Sequence, residues 1–251
     1  YLELQRDLYR WVHDQTLRRM NHGETQREIA EDLVLPDCFA RHGHTRGYYG
    51  TIHHNAKAVY QRYIGWYDGN PANLNPLPPV ESGKKYVEYM GGIEDLIAKG
   101  TKAFEEGDYR WVVQVMNHAV FADPSNVEVR NIQADAFEQL GYQSESGTWR
   151  NAYLTAAREL RYGSLRIPAS MGSQIAHAIT IEQLFDMIGV RFNPEKFNHG
   201  PVRINWHFED LEEDHVLGIQ RSTIFHDPHT RDNEADAEIK TSRKTIALIL
   251  G

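Results

Sequence analysis

The tightest constraint in this 251-residue chain is a set of small residues between Gly100 and Pro124. With Pro124 as position 32 of a 34-residue helix-hairpin repeat, Gly100 falls at position 8, Ala103 at 11 and Ala119 at 27. Paired helices of a tetratricopeptide-type unit approach closely at those positions, so only small side chains fit. Gly107-Asp108 supplies the turn between the two helices. A second, degraded unit starts near Val127, with Ala134 at its position 8, Leu140-Gly141-Tyr142 at its turn and a last helix from Thr148 to Arg161. Two copies are too few for a free-standing solenoid, so the block is expected to pack on a neighbour or on a second copy of itself.

Helix patterns precede this block. Leu4, Leu8, Trp11, Val12 and Leu17 mark an opening helix that Gly23 stops. Thr25-Gln-Arg-Glu28 forms a capping box for a short helix carrying Ile29, Ala30 and Leu33, and Pro36 ends it. The glycine-hinged aromatic loop Thr45-Arg-Gly-Tyr-Tyr-Gly-Thr51 leads to a helix expected from about Asn55 to Trp66. Val59, Tyr60, Tyr63 and Ile64 are expected on its buried face, and Trp66 and Tyr67 in the core. Asp68-Gly-Asn-Pro71 is a turn, and the prolines up to Pro79 favour an extended connector, which places a boundary after residue 67. Glu81 to Met90 then suits a helix closed by Gly91-Gly92.

The last third changes period. Thr180-Ile-Glu-Gln183 caps an amphipathic helix through Leu184, Met187 and Ile188. Strand alternation follows, with Val202, Ile204, Trp206 and Phe208 pointing one way, then Leu217 with Ile219, Ile224, and Ala237 with Ile239. This predicts one helix on an antiparallel sheet, whose apolar face is either an ordinary core or a lipid-sized cavity. The fold expected is therefore mainly α: a tetratricopeptide-like all-α domain at 68–162, preceded by helices at 1–67 and followed by an α+β domain at 163–251. Tyr1 falls inside a helix pattern and Ser242 to Leu250 starts a new one, so the chain reads as a piece of a longer protein, incomplete at its C-terminus.

Composition removes several functions. The longest apolar stretch, Thr245 to Leu250, is far short of the roughly 20 residues that cross a bilayer. A single cysteine, Cys38, forbids an internal disulfide and a cysteine-built zinc cage, and leaves the compartment open. The net charge of −8 would repel a polyanion, so nucleic acid is not an expected partner. Residues 1–67 carry nine basic and eight acidic groups, whereas the two later thirds are net acidic, so only the first third is suited to hold an anion.

No catalytic constellation is complete. His42-x-His44, the adjacent His53 and His54, and His226-x-x-His229 are at spacings that can bind zinc, but none has a carboxylate at partner spacing, and they read as surface groups. Phosphate-binding loops, nucleophile elbows and dinucleotide glycine patterns do not occur. What remains is a set of oxyanion donors in the first third: Arg18, Arg46, Arg62, Tyr48, Tyr49, Tyr60, His54 and Asn55. Their guanidinium forks and phenol hydroxyls suit sulfate or phosphate.

Longer motifs carry a family likeness. His13-Asp-Gln-Thr16, Arg46-Gly-Tyr-Tyr-Gly50, His54-Asn-Ala-Lys-Ala-Val-Tyr60, Gly65-Trp-Tyr-Asp-Gly-Asn-Pro-Ala-Asn73, Gly107-Asp-Tyr-Arg-Trp111 and Glu138-Gln-Leu-Gly-Tyr142 strongly resemble the linear alkylsulfatases, dodecyl-sulfate hydrolases of the metallo-β-lactamase superfamily. The resemblance implies three parts: the last helices of a zinc-hydrolase domain (1–67), an α-helical dimerisation domain (68–162), and part of a domain like sterol carrier protein 2 (163–251). It implies hydrolysis of alkyl sulfate esters to alcohol and sulfate, a homodimer, and, in a bacterial setting, export. It also implies two zinc ions, yet the family's H-x-H-x-D-H motif is nowhere in this sequence, so their ligands would lie outside it. No catalytic or metal-binding residue is therefore assigned here. Arg18 and Tyr60 are expected as sulfate-oxygen donors, with His54 and Tyr48 second, and the apolar face of the last domain as a seat for the alkyl chain. The competing reading is a non-catalytic helical-repeat and lipid-binding module.

Overall fold

A computed structural model describes residues 1–165 and 178–250, with side chains to Ile246; the start of the expected third domain, 166–177, lies outside the described residues. The chain divides into two compact units, Tyr1–Leu165 and Arg166–Gly251. Among the described residues no helix is long and apolar enough to cross a membrane.

The first unit is all helix. Helix α1 (Leu2–Met20) buries Leu8, Val12 and Thr16, four residues apart along one face. Helix α2 (Gln26–Asp32) opens on the expected capping box, in which Glu28 accepts from the Thr25 N–H at 2.8 Å. Those bonds from the Thr25 N–H and hydroxyl hold the Glu28 carboxyl below its ordinary value. After the short α3 (Asp37–Ala40), helix α4 runs from Ile52 to Ile64, one turn earlier than periodicity indicated, because the Thr51 hydroxyl caps it by accepting from the His54 N–H at 2.9 Å.

The expected core face of α4 needs correction. Ala56 and Tyr60 are buried with Ile29 and Leu33, and Ile52 packs beside them, but Tyr63, Ile64 and Trp66 are exposed. The stripe that meets its neighbours is the narrow i, i+4, i+8 row, and residues flanking it point away. The proline-rich connector also departs from an extended path: Asn70 accepts from the Ala72 N–H at 3.0 Å and folds Pro71–Asn73 into a single 3₁₀ turn.

Helices α5 (Pro79–Tyr89), α6 (Ile93–Glu105), α7 (Tyr109–Ala122), α8 (Val127–Gln143) and α9 (Gly147–Tyr162) form the repeat block. Gly107, at φ +83°, makes the α6–α7 turn as expected. Gly100 lies so close to α7 that a Cβ there would stand 1.9 Å from the Met116 methyl, and at Gly141 one would stand 2.8 Å from Leu154 Cδ2 on α9. Leu96, Val112, Met116, Ala119, Val129 and Ala136 fill the space between these helices. Helix α5 packs against α7. Its Gly83 sits against the backbone of α7, where a Cβ would come 2.5 Å from the His118 carbonyl oxygen, and Tyr86 stacks on His118 at 4.2 Å.

The second unit is α+β. Strands β1 (Val202–Phe208), β2 (Glu213–Gln220), β3 (Thr223–Pro228) and β4 (Ala237–Thr241) form one sheet in the order β3-β2-β1-β4. The expectation of a purely antiparallel sheet is corrected: β4 pairs parallel to β1, with Ile204 opposite Ala237. The cause is residues 229–236, which cross β2 and β1 before β4 begins. Thr230 N–H donates to Asp214 O (3.1 Å), Asp232 N–H to Asn205 Oδ1 (2.9 Å) and Asp236 N–H to Arg203 O (2.8 Å). Arg221 and Ser222, both at positive φ, close the β2–β3 hairpin. Helix α10 (Ile181–Arg191) carries the predicted Thr180–Gln183 capping box. Its Leu184 and Phe185 bury Phe208 and Leu217 together with Ile246 of α11 (Arg243–Leu250), so this face of the sheet is a packed core.

The α5–α7 contact yields a prediction. Gly83→Ala should lower stability by about 1–3 kcal/mol, the usual cost of overpacking, because the colliding atom belongs to backbone and cannot rotate away. An unchanged urea midpoint would mean that α5 is free to slide along α7.

Candidate functional site

Loop 46–50 is the part of the first unit that most resembles a built site. At Gly47 a Cβ would come 2.6 Å from the Gly50 carbonyl oxygen, so the loop closes on itself only with glycine. The start of α9 then grips it. The Gly147 N–H donates to Tyr48 O at 2.7 Å, the Thr148 hydroxyl donates to Tyr49 O at 2.8 Å, and Arg46 is ion-paired with Glu145. The first of these bonds satisfies one of the N–H groups that the beginning of a helix leaves open. Trp149 Nε1 donates to His54 Nδ1 at 3.3 Å, which ties α4 to the same turn of α9.

Two of the clefts beside this junction are rich in polar and aromatic side chains. One, of about 500 Å³, is lined by Tyr9, His44, Tyr48, Tyr49 and Asn55 among others. The other, of about 740 Å³, is lined by Arg27, His53, Lys57, Arg110 and Trp149 and also by Glu31. In the second, Arg110 grips Glu31 through two bonds of 2.8 Å, which joins α7 to α2.

Each expected donor has a definite place. Arg18 is exposed on α1, and its Nε donates to Gln15 Oε1 at 2.9 Å. Tyr60 is 3% exposed in the core of α2 and α4. Tyr48 is exposed on the loop with the Arg46 guanidinium 5.9 Å from its ring centre, and His54 is exposed beside Trp149. The junction with α9 thus gathers Tyr48 and His54, but of the four only Tyr48 lines either cleft; His54, Arg18 and Tyr60 line neither. Arg46, also considered as a donor, is committed to Glu145.

Sequence reasoning missed a chain of polar groups on α1 and α4. Arg10 bonds Asp14 at 2.6 Å, Asp14 bonds His13 Nδ1 at 2.8 Å, and His13 Nε2 meets the Tyr63 hydroxyl at 2.8 Å. Hydrogen bonds from His13 and Arg10 hold the Asp14 carboxyl below its ordinary value. The signal lay in His13-Asp-Gln-Thr16, but its partner Tyr63 was assigned to the core. The histidine pairs also resolve. His42 and His44 have ring centres 5.7 Å apart, His226 bonds Asp186 at 3.1 Å, and His229 instead approaches His215.

A tetratricopeptide-like helical block followed by a helix-on-sheet unit, with an anion-suited first third, defines the class of protein. Residues 25–163 match the alkyl sulfatase dimerisation family and residues 169–251 match the alkyl sulfatase C-terminal family. The chain therefore belongs to the alkyl sulfatase family and carries its dimerisation and C-terminal domains. It is 46% identical to the alkyl/aryl-sulfatase BDS1 of Saccharomyces cerevisiae over 99% of this chain and 38% of that one. It is 43% identical to an (R)-specific secondary-alkylsulfatase of Pseudomonas sp over 98% of this chain and 37% of the other. The solved structure of the stereoselective inverting sec-alkylsulfatase Pisa1 from Pseudomonas sp. superposes with a TM-score of 0.92 at 42% identity, covering 99% of this chain and 39% of that one. The chain thus spans less than two fifths of the length of these relatives.

The Glu31–Arg110 clamp gives a pH prediction. Arg110, by hydrogen bonding first and by charge second, holds the Glu31 carboxyl below its ordinary value. A lowered folded-state pKa stabilises the fold fully above the unfolded value of about 4.3, and the contribution is lost as pH falls through the folded value. The urea midpoints of the wild type and Glu31→Gln should differ at neutral pH and converge well below about pH 4. A gap that stays constant on acidification would mean that the charge on Glu31 does not support the fold.

Proposed function

We propose that this chain is the C-terminal part of a zinc-dependent alkylsulfatase that hydrolyses alkyl sulfate esters such as dodecyl sulfate to alcohol and sulfate. In this reading it pairs with a second copy through the helical block and lends sulfate-oxygen donors to a pocket completed by residues outside this sequence. The observation that carries the proposal is that both alkyl sulfatase domains match in order over residues 25–163 and 169–251, with 46% identity to an alkyl/aryl-sulfatase along nearly the whole chain.

The residues present do not fit a dinuclear zinc centre. The H-x-H-x-D-H motif is missing from the sequence. Among the described residues the one metal-compatible cluster, Glu213 with His215 and His229, offers three ligands, enough for a single ion, and belongs to the second unit. In this reading the hydrolytic metals are held elsewhere in the parent protein. The contribution of this chain to the reaction is recognition: guanidinium, phenol and imidazole groups donate hydrogen bonds to sulfate oxygens, and charge-assisted bonds of this kind are the strong ones. Arg18, Tyr48 and His54 reach solvent and can meet a substrate directly, while Tyr60 is buried in the core of α2 and α4.

Four outcomes test the reading. The 251-residue chain supplied with zinc should release no sulfate from dodecyl sulfate above a metal-free blank; turnover there would mean that the hydrolytic ligands lie within it. In the full-length parent, Arg18→Ala should lower kcat/KM by roughly 10–150-fold, the equivalent of a charge-assisted bond of about 1.5–3 kcal/mol. Tyr60→Phe keeps the core ring and removes only the hydroxyl, so a fall in kcat/KM at unchanged melting temperature is expected if Tyr60 is a donor. Light scattering of the 29.0 kDa chain should give twice that mass in solution; a strict monomer would remove the pairing role of the helical block.

A further inference from the structure

The second unit brings together four side chains that neither the helical block nor the hydrolytic reading uses. Glu213 and His215 lie two residues apart on β2 and so face the same way. Pro228, the last residue of β3, is the register partner of His215, so His229 leaves the sheet right beside it. One ligand atom each from Glu213, His215 and His229 lie within 4.8 Å of one another. Glu182, in the first turn of α10, brings Oε1 to 4.0 Å from His229 Nε2.

The surroundings favour a bound cation. His215 is fully buried, with Phe185 and Phe208 edge-on to its ring at 5.9 and 5.7 Å, so its imidazole plane is fixed. Its Nε2 lies 3.2 Å from Glu213 Oε2, while its buried Nδ1 has no partner among the described residues. His229 holds a left-handed φ of +54°, uncommon for a side chain of this size, and its ring centre comes to 5.4 Å from that of His215. Two carboxylates and two imidazoles thus converge at the rim of an apolar core, a donor set that a divalent transition metal accepts.

We infer that Glu213, His215 and His229, with Glu182 as a fourth ligand, form a binding site for one divalent transition-metal ion, which fastens the loop after β3 to β2 and to the start of α10. Mixed imidazole and carboxylate donors select zinc over magnesium or calcium, which take all-oxygen shells. Ligand bonds of about 2.0–2.2 Å place tetrahedral ligands roughly 3.4 Å apart, so the atoms of Glu213, His215 and His229 have to draw together and Glu182, 4.0 Å from His229, has to turn toward them. The ion would be structural. The site lies within the second unit, and its success or failure is independent of the hydrolytic reading.

The test uses the metal-free 251-residue chain titrated with zinc by calorimetry, and with cobalt(II) to read tetrahedral coordination from its visible absorption. One zinc per chain is expected, with a rise in melting temperature. His229→Ala removes a ligand that is 64% exposed and leaves the fold intact, and Glu213→Gln removes a second. Each should weaken zinc binding by more than about 100-fold, beyond what loss of an outer-shell partner costs. His42→Ala with His44→Ala should leave it unchanged. No zinc bound by the wild type, zinc bound equally by His229→Ala and Glu213→Gln, or zinc lost only in the His42/His44 variant would each overturn the site.

Discussion

The first unit depends on how closely helices can approach α7. Gly83 lets α5 come against the backbone of α7, and Gly100 makes room for the Met116 side chain between α6 and α7, so both helices lie close against it. That proximity lets Met116 and Ala119 be fully buried and builds the core on which α8 packs. Gly141 continues the arrangement into α9, whose first turn holds loop 46–50. The placement of Tyr48 and His54 is therefore set by packing contacts far from them in sequence. Close-packed interiors transmit such constraints because they do not deform continuously.

Electrostatics then narrows the choice of anion donors. Arg46 is paired with Glu145, Arg110 with Glu31, Arg19 with Glu24 and Arg161 with Glu138. The exposed pairs of Arg46 and Arg110 add little stability, since the median worth of such pairs is about 0–1 kcal/mol, whereas those of Arg19 and Arg161 are half-buried. They do settle which guanidinium groups stay free to meet a ligand, and Arg18, whose described side-chain bond is to a neutral amide, remains available. A slightly basic first third thus holds far less accessible positive charge than its composition implies.

The features legible in the sequence were those set locally. Both capping boxes form where Thr25 and Thr180 placed them, and the small residues of the repeat fall where the helices touch. These are properties of a few adjacent residues and of backbone geometry. The direction of β4 was not legible, because alternation in Ala237 to Thr241 is the same whichever way the strand runs, and the crossover at 229–236 decides it. Nor was the exposure of Tyr63 and Ile64, since four apolar residues on α4 compete for a stripe wide enough for one row. The candidate site divides the same way. Arg18, Tyr48, His54 and Tyr60 were named by residue type alone, while Trp149, Glu145 and the His215–His229 approach depend on contacts between distant segments.

The parallel seating of β4 also bears on the order in which the second unit assembles. Strands β1 to β3 are joined by short connections and can pair as a meander, but Ala237 meets Ile204 across 33 residues, after the crossing segment has been laid over Arg203 and Asn205. Contacts so distant along the chain bear a larger loop-closure cost before they contribute anything. Ile246 follows β4, so the core beneath α10 receives its last side chain only when that edge has docked. Leu184 and Phe208 therefore depend for one wall of their packing on a residue that follows the parallel edge strand, which couples closure of this core to the slowest-forming pairing of the sheet.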